Sequence, residues 1–376
     1  MHPEFYFEQA EKAIDLYKGN KPFLLFLKAF FKENRKMGKR DREYITTLSL
    51  NYFRASRLFN AQVDTRVGIK LANRYLLNEK KHQYLLNYLR DQLTDYEEPE
   101  AGLIADFFPL NSQISSKIDR ESFIKKHLQI PFFFIRIRKN KELVIDELRE
   151  LNIEFEEIND TCFRIERGSV LQNSRGYQKG YFEIQDIASQ ELVQSLPRFK
   201  TNDMVWDCCC GAGGKSIHLK DLHPNINLFA SDKRAGILKN FESRINRNEV
   251  NIREPEEFDL IESDLNPWKT KFQVILADLP CSGSGTWHRT PEHLLYFTSE
   301  KLEEYSKLQQ DICESALKSL QAEGILIYCT CSVYIDENEQ NIDHLCREHN
   351  LKLESSHYFS YPQLSGESHY MAVLRK

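Results

Sequence analysis

The sequence predicts an α/β protein whose C-terminal half is a mostly parallel, doubly wound sheet, preceded by a helical N-terminal domain and a small α/β module. Five apolar runs, "DMVWDCC", "INLFASD", "FDLIESD", "FQVILADLP" and "GILIYCTCS", each lead into a loop and a helical stretch. Continuous apolar strands alternating with helices are what a parallel sheet covered on both faces requires. The first third carries helical stripes instead, such as Ile45, Leu48 and Tyr52 at i, i+3 and i+7, with few glycines or prolines. Near Pro131 the texture changes: "FFFIRIR" alternates, "KELVIDELREL" has helical spacing, and "EFEEIND" and "CFRIER" alternate again. The expected domains are 1–125 (helical), 126–193 (small α/β module) and 194–376 (sheet domain) within the 376 residues.

Composition narrows the function classes. The hydrophobic fraction is 41% and the charged fraction 28%, ordinary for a globular chain, and no apolar run approaches the roughly 18 residues of a membrane span. "PFLLFLKAFF" is interrupted by Lys28, and the start "MHPEFYFEQAEK" lacks the basic and apolar regions of a secretory signal, so a cytoplasmic location is expected. The net charge of −5 argues against general polyanion binding. A nucleic-acid footprint would have to be local, as in "KENRKMGKRDR" (Lys32 to Arg42). Of nine cysteines three are consecutive, and none forms a C-x-x-C pair, which suits reduced thiols and excludes both a secreted disulfide framework and the usual zinc spacing.

The expected strand ends carry the chemistry. After the first comes "DCCCGAGGKS", in which Gly211, Gly213 and Gly214 permit a tight turn and close backbone approach at a helix N-terminus. A P-loop would need glycine at Cys209, and a dinucleotide fingerprint would need one at Ser216. Asp232 ends the second run about 20 residues on, where an acid can accept both hydroxyls of a ribose, and Asp264 ends the third, where it could meet an adenine amino group. Acids at the ends of successive strands, Asp207, Asp232 and Asp264, point to a nucleoside-bearing cofactor. The fourth run ends in Asp278-Leu279-Pro280-Cys281 and the fifth in Thr330-Cys331-Ser332. Either cysteine alone reads as a small core residue; at one sheet edge beside a nucleoside site, the pair reads as chemistry.

These motifs, "DCCCGAGGKS", "ASD", "ADLPCSGSGTWHRTPE" and "YCTCSVYIDENE", with "FEIQDIASQ" ahead of them, resemble the Nop/Sun (RsmB-like) family of RNA cytosine methyltransferases over residues from about 130 to the end. The helical first third resembles, more loosely, the NusB-like RNA-binding domain of some members. The chain departs from the family where Cys210, Gly211 and Ala212 replace an Ala-Ala-Pro, and where Arg136-Ile137-Arg138 replaces Arg-Val-Asn.

The resemblance implies a Rossmann-like methyltransferase fold with S-adenosylmethionine as cofactor, held by Cys209, Cys210, Gly211, Ala212, Gly213, Gly214, Lys215, Asp232, Asp264 and Asp278. It implies methylation of carbon 5 of an RNA cytosine, with Cys331 as nucleophile, Cys281 assisting product release and Asp278 between cofactor and base. Residue chemistry alone leaves open which thiol attacks. Ribosomal RNA is the favoured partner, transfer RNA the runner-up, with no membrane and no metal, and the chain is expected to be a monomer. Arg136, Arg138, Arg289 and the Lys32 to Arg42 run are candidate phosphate contacts. The competing readings are a noncatalytic ribosome-assembly factor, a nicotinamide-dependent dehydrogenase and a DNA cytosine methyltransferase.

Overall fold

A computed structural model describes residues 2–58, 63–93, 107–166, 171–262 and 271–376. These residues form two compact units, one of residues 1–114, 119–130 and 287–299, the other of 115–118, 131–286 and 300–376.

The first unit is helical, with helices Pro3–Leu16, Phe23–Glu33, Lys39–Ala55, Thr65–Leu76, Glu79–Gln92 and Arg120–His127. Its starts are capped locally: Asp64 accepts the amides of Arg66 and Val67, and Asp119 that of Ser122, each cap contributing about 1 kcal/mol. Ile45 and Leu48 of the expected stripe are fully buried with Phe7, Phe23 and Phe53, and Tyr52 packs at the margin. Each such side chain contributes roughly 1.5–3 kcal/mol on burial. The segment 287–299, far away in sequence, is tied in through Glu292, which accepts the Phe23 amide at 2.8 Å, and through Arg54, which donates to the His288 carbonyl at 2.9 Å.

The second unit holds both sheets. In the small one, β1 (Phe133–Ile137), β2 (Phe155–Glu157), β3 (Cys162–Ile165) and β4 (Phe182–Ile184) pair antiparallel in the order β2-β3-β1-β4. The large sheet comprises β5 (Met204–Asp207), β6 (Asn227–Asp232), β7 (Glu256–Glu257), β8 (Phe272–Asp278), β9 (Leu320–Thr330), β10 (Lys352–Ser360) and β11 (Ser368–Arg375), ordered β10-β11-β9-β8-β5-β6-β7. From β7 to β9 neighbours are parallel, and β11 and β10 add antiparallel at the β9 side. Strand order reverses at β5, with β6 on one side and β8 on the other, so the crevice over the carboxyl ends of β5, β6 and β8 is where a ligand is expected. The mostly parallel, doubly wound architecture read from the sequence is present.

Two local expectations are corrected. "FDLIESD" does not form the third strand: β7 is Glu256–Glu257, and the chain then turns at Asp259, whose side chain accepts the Ile261 amide at 2.9 Å. Such an Asx turn offers the backbone a partner that competes with a sheet ladder. Asp264 lies outside the described residues. Likewise Arg136 and Arg138 are not open phosphate contacts. Both guanidinium groups close on Asp221, at 2.7 and 2.6 Å, and Arg136 also donates to Gln185, Arg138 to the Gly180 carbonyl. Arg136 is buried and Arg138 partly so, and together they clamp the end of β1 onto the helix Gly214–Leu222.

Candidate active site

The loop between β5 and the helix Gly214–Leu222 is shaped by two glycines in the left-handed region, Gly211 (φ +53°) and Gly213 (φ +77°). At Gly213 the need is double, since a Cβ there would lie 2.0 Å from the Phe241 ring. The Cys208 amide donates to Leu276 and the Cys210 amide to Ser231, so the loop is fastened to β8 and β6 while the helix start, with its unpaired amides, faces the crevice.

Asp232 ends β6. Its carboxylate accepts the Gly211 amide at 3.0 Å, and Arg234 folds back onto it through its own amide and its guanidinium. Burial would raise its pKa, but these donors outweigh burial and hold it below the usual carboxylate range. Asp278 ends β8 and accepts the Lys215 ammonium at 2.7 Å. Burial disfavours that ammonium, yet the Asp278 charge prevails and raises the Lys215 pKa. Asp207, at the end of β5, takes no part in the cavity wall. It is buried beneath the loop, accepts Ser216 Oγ at 2.5 Å, and burial pushes its pKa up to about 7.

Cys281 and Cys331 leave β8 and β9 side by side, their Sγ atoms 3.4 Å apart and both half-buried. The hydrogen bond with Cys331, then burial, hold the Cys281 thiol well above its usual pKa, so Cys281 is a protonated thiol at neutral pH. Both cysteines line one cavity of about 490 Å³. Cys209, Cys210, Gly211, Ala212, Gly214, Lys215, Asp232 and Asp278 line it too, with Phe258, Leu260, Leu308 and Ile312 as apolar wall. Of the residues expected from sequence, Gly213 stands behind the loop against Phe241, and Asp264 falls outside the described residues.

Sequence reasoning missed Arg234, Phe258 and Glu337. Glu337 is fully buried and gathers the residues that follow the two cysteines. Its only signal was its place in "YIDENE" after the second cysteine motif. Among the described residues no three His, Cys, Asp or Glu side chains are grouped to hold a metal ion, and no helix is long and apolar enough to cross a membrane.

A Rossmann-like sheet with a glycine loop after β5, an acid after β6 and this cavity at the switch point is the fold of a methyltransferase domain. The profile of the family described as 16S rRNA methyltransferase RsmB/F matches residues 195–374, and over this stretch the chain is similar to that family. It is 23% identical over 269 residues to ribosomal RNA small subunit methyltransferase B of Proteus mirabilis, covering 68% of this chain and 62% of that protein. To its namesake from Shewanella oneidensis it is 31% identical over 185 residues, covering 48% and 42%. The chain thus spans only 42 to 62% of the length of these curated relatives. Among solved structures, one titled "Crystal Structure of PH0851" aligns with a TM-score of 0.76 at 21% identity, covering 100% of this chain and 99% of that one. NSun6 from Pyrococcus horikoshii, crystallised with SFG, aligns with a TM-score of 0.60 at 17% identity, over 73% and 97%. At these identities the two structures speak to the fold.

Proposed function

We propose that the protein transfers a methyl group from S-adenosylmethionine to carbon 5 of a cytosine in RNA, ribosomal RNA being favoured, through a transient bond between Cys331 and the base. The observation that carries this reading is the 3.4 Å contact of Cys281 and Cys331 on the wall of a cavity that also holds Lys215, Asp278 and Asp232.

The donor set fits the cofactor. Asp232 presents a carboxylate suited to a ribose diol, Phe258 and Leu260 an apolar wall for adenine, and Gly211 to Lys215 a helix start for an amino acid carboxylate. About 490 Å³ is within the range of small-molecule sites. When bound, the cofactor supplies an electrophilic methyl group on a sulfonium.

Carbon 5 of cytosine is too electron-poor to take that methyl unaided. Cys331, as thiolate, adds to carbon 6, and the displaced electron pair makes carbon 5 the nucleophile. Asp278, an acceptor fixed by Lys215, is assigned to orient the base edge, and the Lys215 ammonium beside it to meet the charge that develops on the ring. Once carbon 5 carries the methyl, the Cys281 thiol gives its proton to the departing Cys331 sulfur, which leaves with the carbon–sulfur electron pair, and the Cys281 thiolate so formed takes the carbon 5 proton as the carbon 5–carbon 6 double bond re-forms. The 3.4 Å contact of the Cys281 thiol with that sulfur supports this assignment. The base must leave its stack to reach the cavity, which favours single-stranded or loop RNA.

Labelled S-adenosylmethionine incubated with total RNA, followed by nucleoside analysis, tests the reaction. Label in 5-methylcytidine is expected; label in any other nucleoside, or none in any RNA, overturns the reading. Cys331→Ala is expected to abolish covalent RNA adduct and Cys281→Ala to accumulate it, and the reverse pattern would exchange their roles.

A further inference from the structure

Glu337 lies in the segment after β9, between Cys331 and the helix Glu339–His349, and is 0% exposed. Its carboxylate accepts the Ser282 amide at 2.8 Å, Ser282 Oγ at 2.5 Å and Gln309 Nε2 at 2.9 Å, and Ser332 Oγ as well. Ser282 directly follows Cys281, and Ser332 directly follows Cys331. One buried carboxyl group, its pKa raised by burial, therefore grips the neighbour of each thiol.

That grip matters because the β8–β9 ladder ends at Asp278 and Cys329, before either cysteine. Past it, register between the two loops rests on isolated backbone bonds, such as the Leu279 amide to the Cys329 carbonyl at 2.9 Å, and on side chains. Ser284 Oγ sits 3.1 Å from Ser332 Oγ and accepts the Val333 amide at 2.9 Å, and the Gly285 amide donates to the Cys331 carbonyl at 2.9 Å. Among them sit Ser282 and Ser332, whose hydroxyls both point at Glu337. A carboxylate can accept from every one of these donors at once. A carboxamide can keep the Ser282 amide and Gln309 on its oxygen only if its nitrogen turns to the two serine hydroxyls, which must then both reverse to accept.

We propose that Glu337 is the positioning residue of the thiol pair, its carboxylate holding the Cys281 and Cys331 loops together so that both sulfurs act on one base. It touches no substrate and acts through the two serines. At Cys281 it adds to the hydrogen bond with Cys331 and to burial in holding the thiol protonated. The inference rests on the two-cysteine reading above, but its first test does not.

In Glu337→Gln and Glu337→Asp, the yield of Cys281–Cys331 disulfide under diamide, which is reduced as the two thiols are oxidised, is read by mass spectrometry of the digested protein. Calorimetric binding of S-adenosylhomocysteine reports whether the cavity remains. Glu337→Gln is expected to bind this probe within about threefold of the parent, while disulfide yield falls about tenfold and single-turnover methylation about 100-fold. Glu337→Asp, which keeps the charge, is expected to recover part of both. A Glu337→Gln variant that binds the probe yet crosslinks and turns over like the parent overturns the proposal. Should Glu337→Gln fail to fold, Ser282→Ala and Ser332→Ala carry the same two readouts, and parental values in both overturn it equally. Absence of methylation by the parent would sink the two-cysteine reading and leave the disulfide measurement to decide the role of Glu337.

Discussion

Arg234 lays its guanidinium on the Asp232 carboxylate, Nε to Oδ1 at 2.8 Å and a terminal nitrogen to Oδ2 at 2.9 Å. The Asp232 side chain is only 5% exposed and the Arg234 side chain 60%, so an exposed side chain covers the acid that a ribose would need. An ion pair of this exposure is worth at most about 1 kcal/mol. Arg234→Ala is therefore expected to tighten S-adenosylhomocysteine binding by up to about fivefold, and Asp232→Ala to weaken it more than tenfold. Weaker binding in Arg234→Ala would show that the guanidinium holds the ligand instead of competing with it. Titration calorimetry distinguishes the two.

Asp207 makes stability depend on pH. Its carboxyl titrates at about 7 in the folded protein because of burial, against about 4 when unfolded. Between those values the folded state binds more protons, so this group destabilises the fold progressively as pH rises from about 4 to 7, and no further above. Asp207→Asn, which can still accept Ser216 Oγ, is expected to gain on the parent by about 2–3 kcal/mol between about pH 5 and pH 8. Urea unfolding of both proteins at the two pH values measures this. A difference that stays constant would mean that Asp207 titrates near its ordinary value.

Among the described residues Asp221 is the carboxylate that pairs with Arg136 and Arg138, whose side chains are 5% and 9% exposed. Asp221→Ala leaves two buried cations uncompensated and is expected to cost about 3–5 kcal/mol, seen as an earlier urea midpoint. If the arginines instead served RNA phosphates, stability would hold while RNA affinity rose.

The arginine pair shows where sequence stops being legible. Strand ends announced themselves because apolar runs and reactive residues share a short stretch: Asp232, Asp278, Cys281 and Cys331 are each named by local context, and all four line the cavity. Arg136 and Arg138 could not be assigned, because Asp221 lies more than 80 positions away and an alternating strand looks the same whether its cations face water or a carboxylate. Glu337 was hidden for a similar reason, since its donors on Ser282 and Gln309 come from two other elements. "FDLIESD" misled because its apolar alternation outweighs the one side-chain hydrogen bond by which Asp259 turns the chain. The antiparallel β10–β11 pair has no reactive strand end to mark it.

The basic run of the helical unit is the remaining candidate for phosphate binding, and its six cations divide into two kinds. Arg40 donates to the Tyr44 hydroxyl at 2.8 Å, and Arg42 to the Met37 carbonyl at 3.0 Å while covering Phe31. Both are thereby fixed to the fold. Lys32, Arg35, Lys36 and Lys39 are exposed around the turn between helices Phe23–Glu33 and Lys39–Ala55, and none forms an ion pair among the described residues. Reversing these four to Glu is expected to leave the urea midpoint nearly unchanged, because surface charges away from specific interactions shift stability by no more than about 0.5 kcal/mol. RNA binding should weaken, and the slope of log K against log salt should flatten by about 0.7 for each phosphate of a single strand that the protein no longer neutralises. Filter binding across a salt series reads both quantities. A parental slope with all four reversed would show that this turn is merely solvated, whereas reversing Arg40 and Arg42 would lower stability and say nothing about RNA.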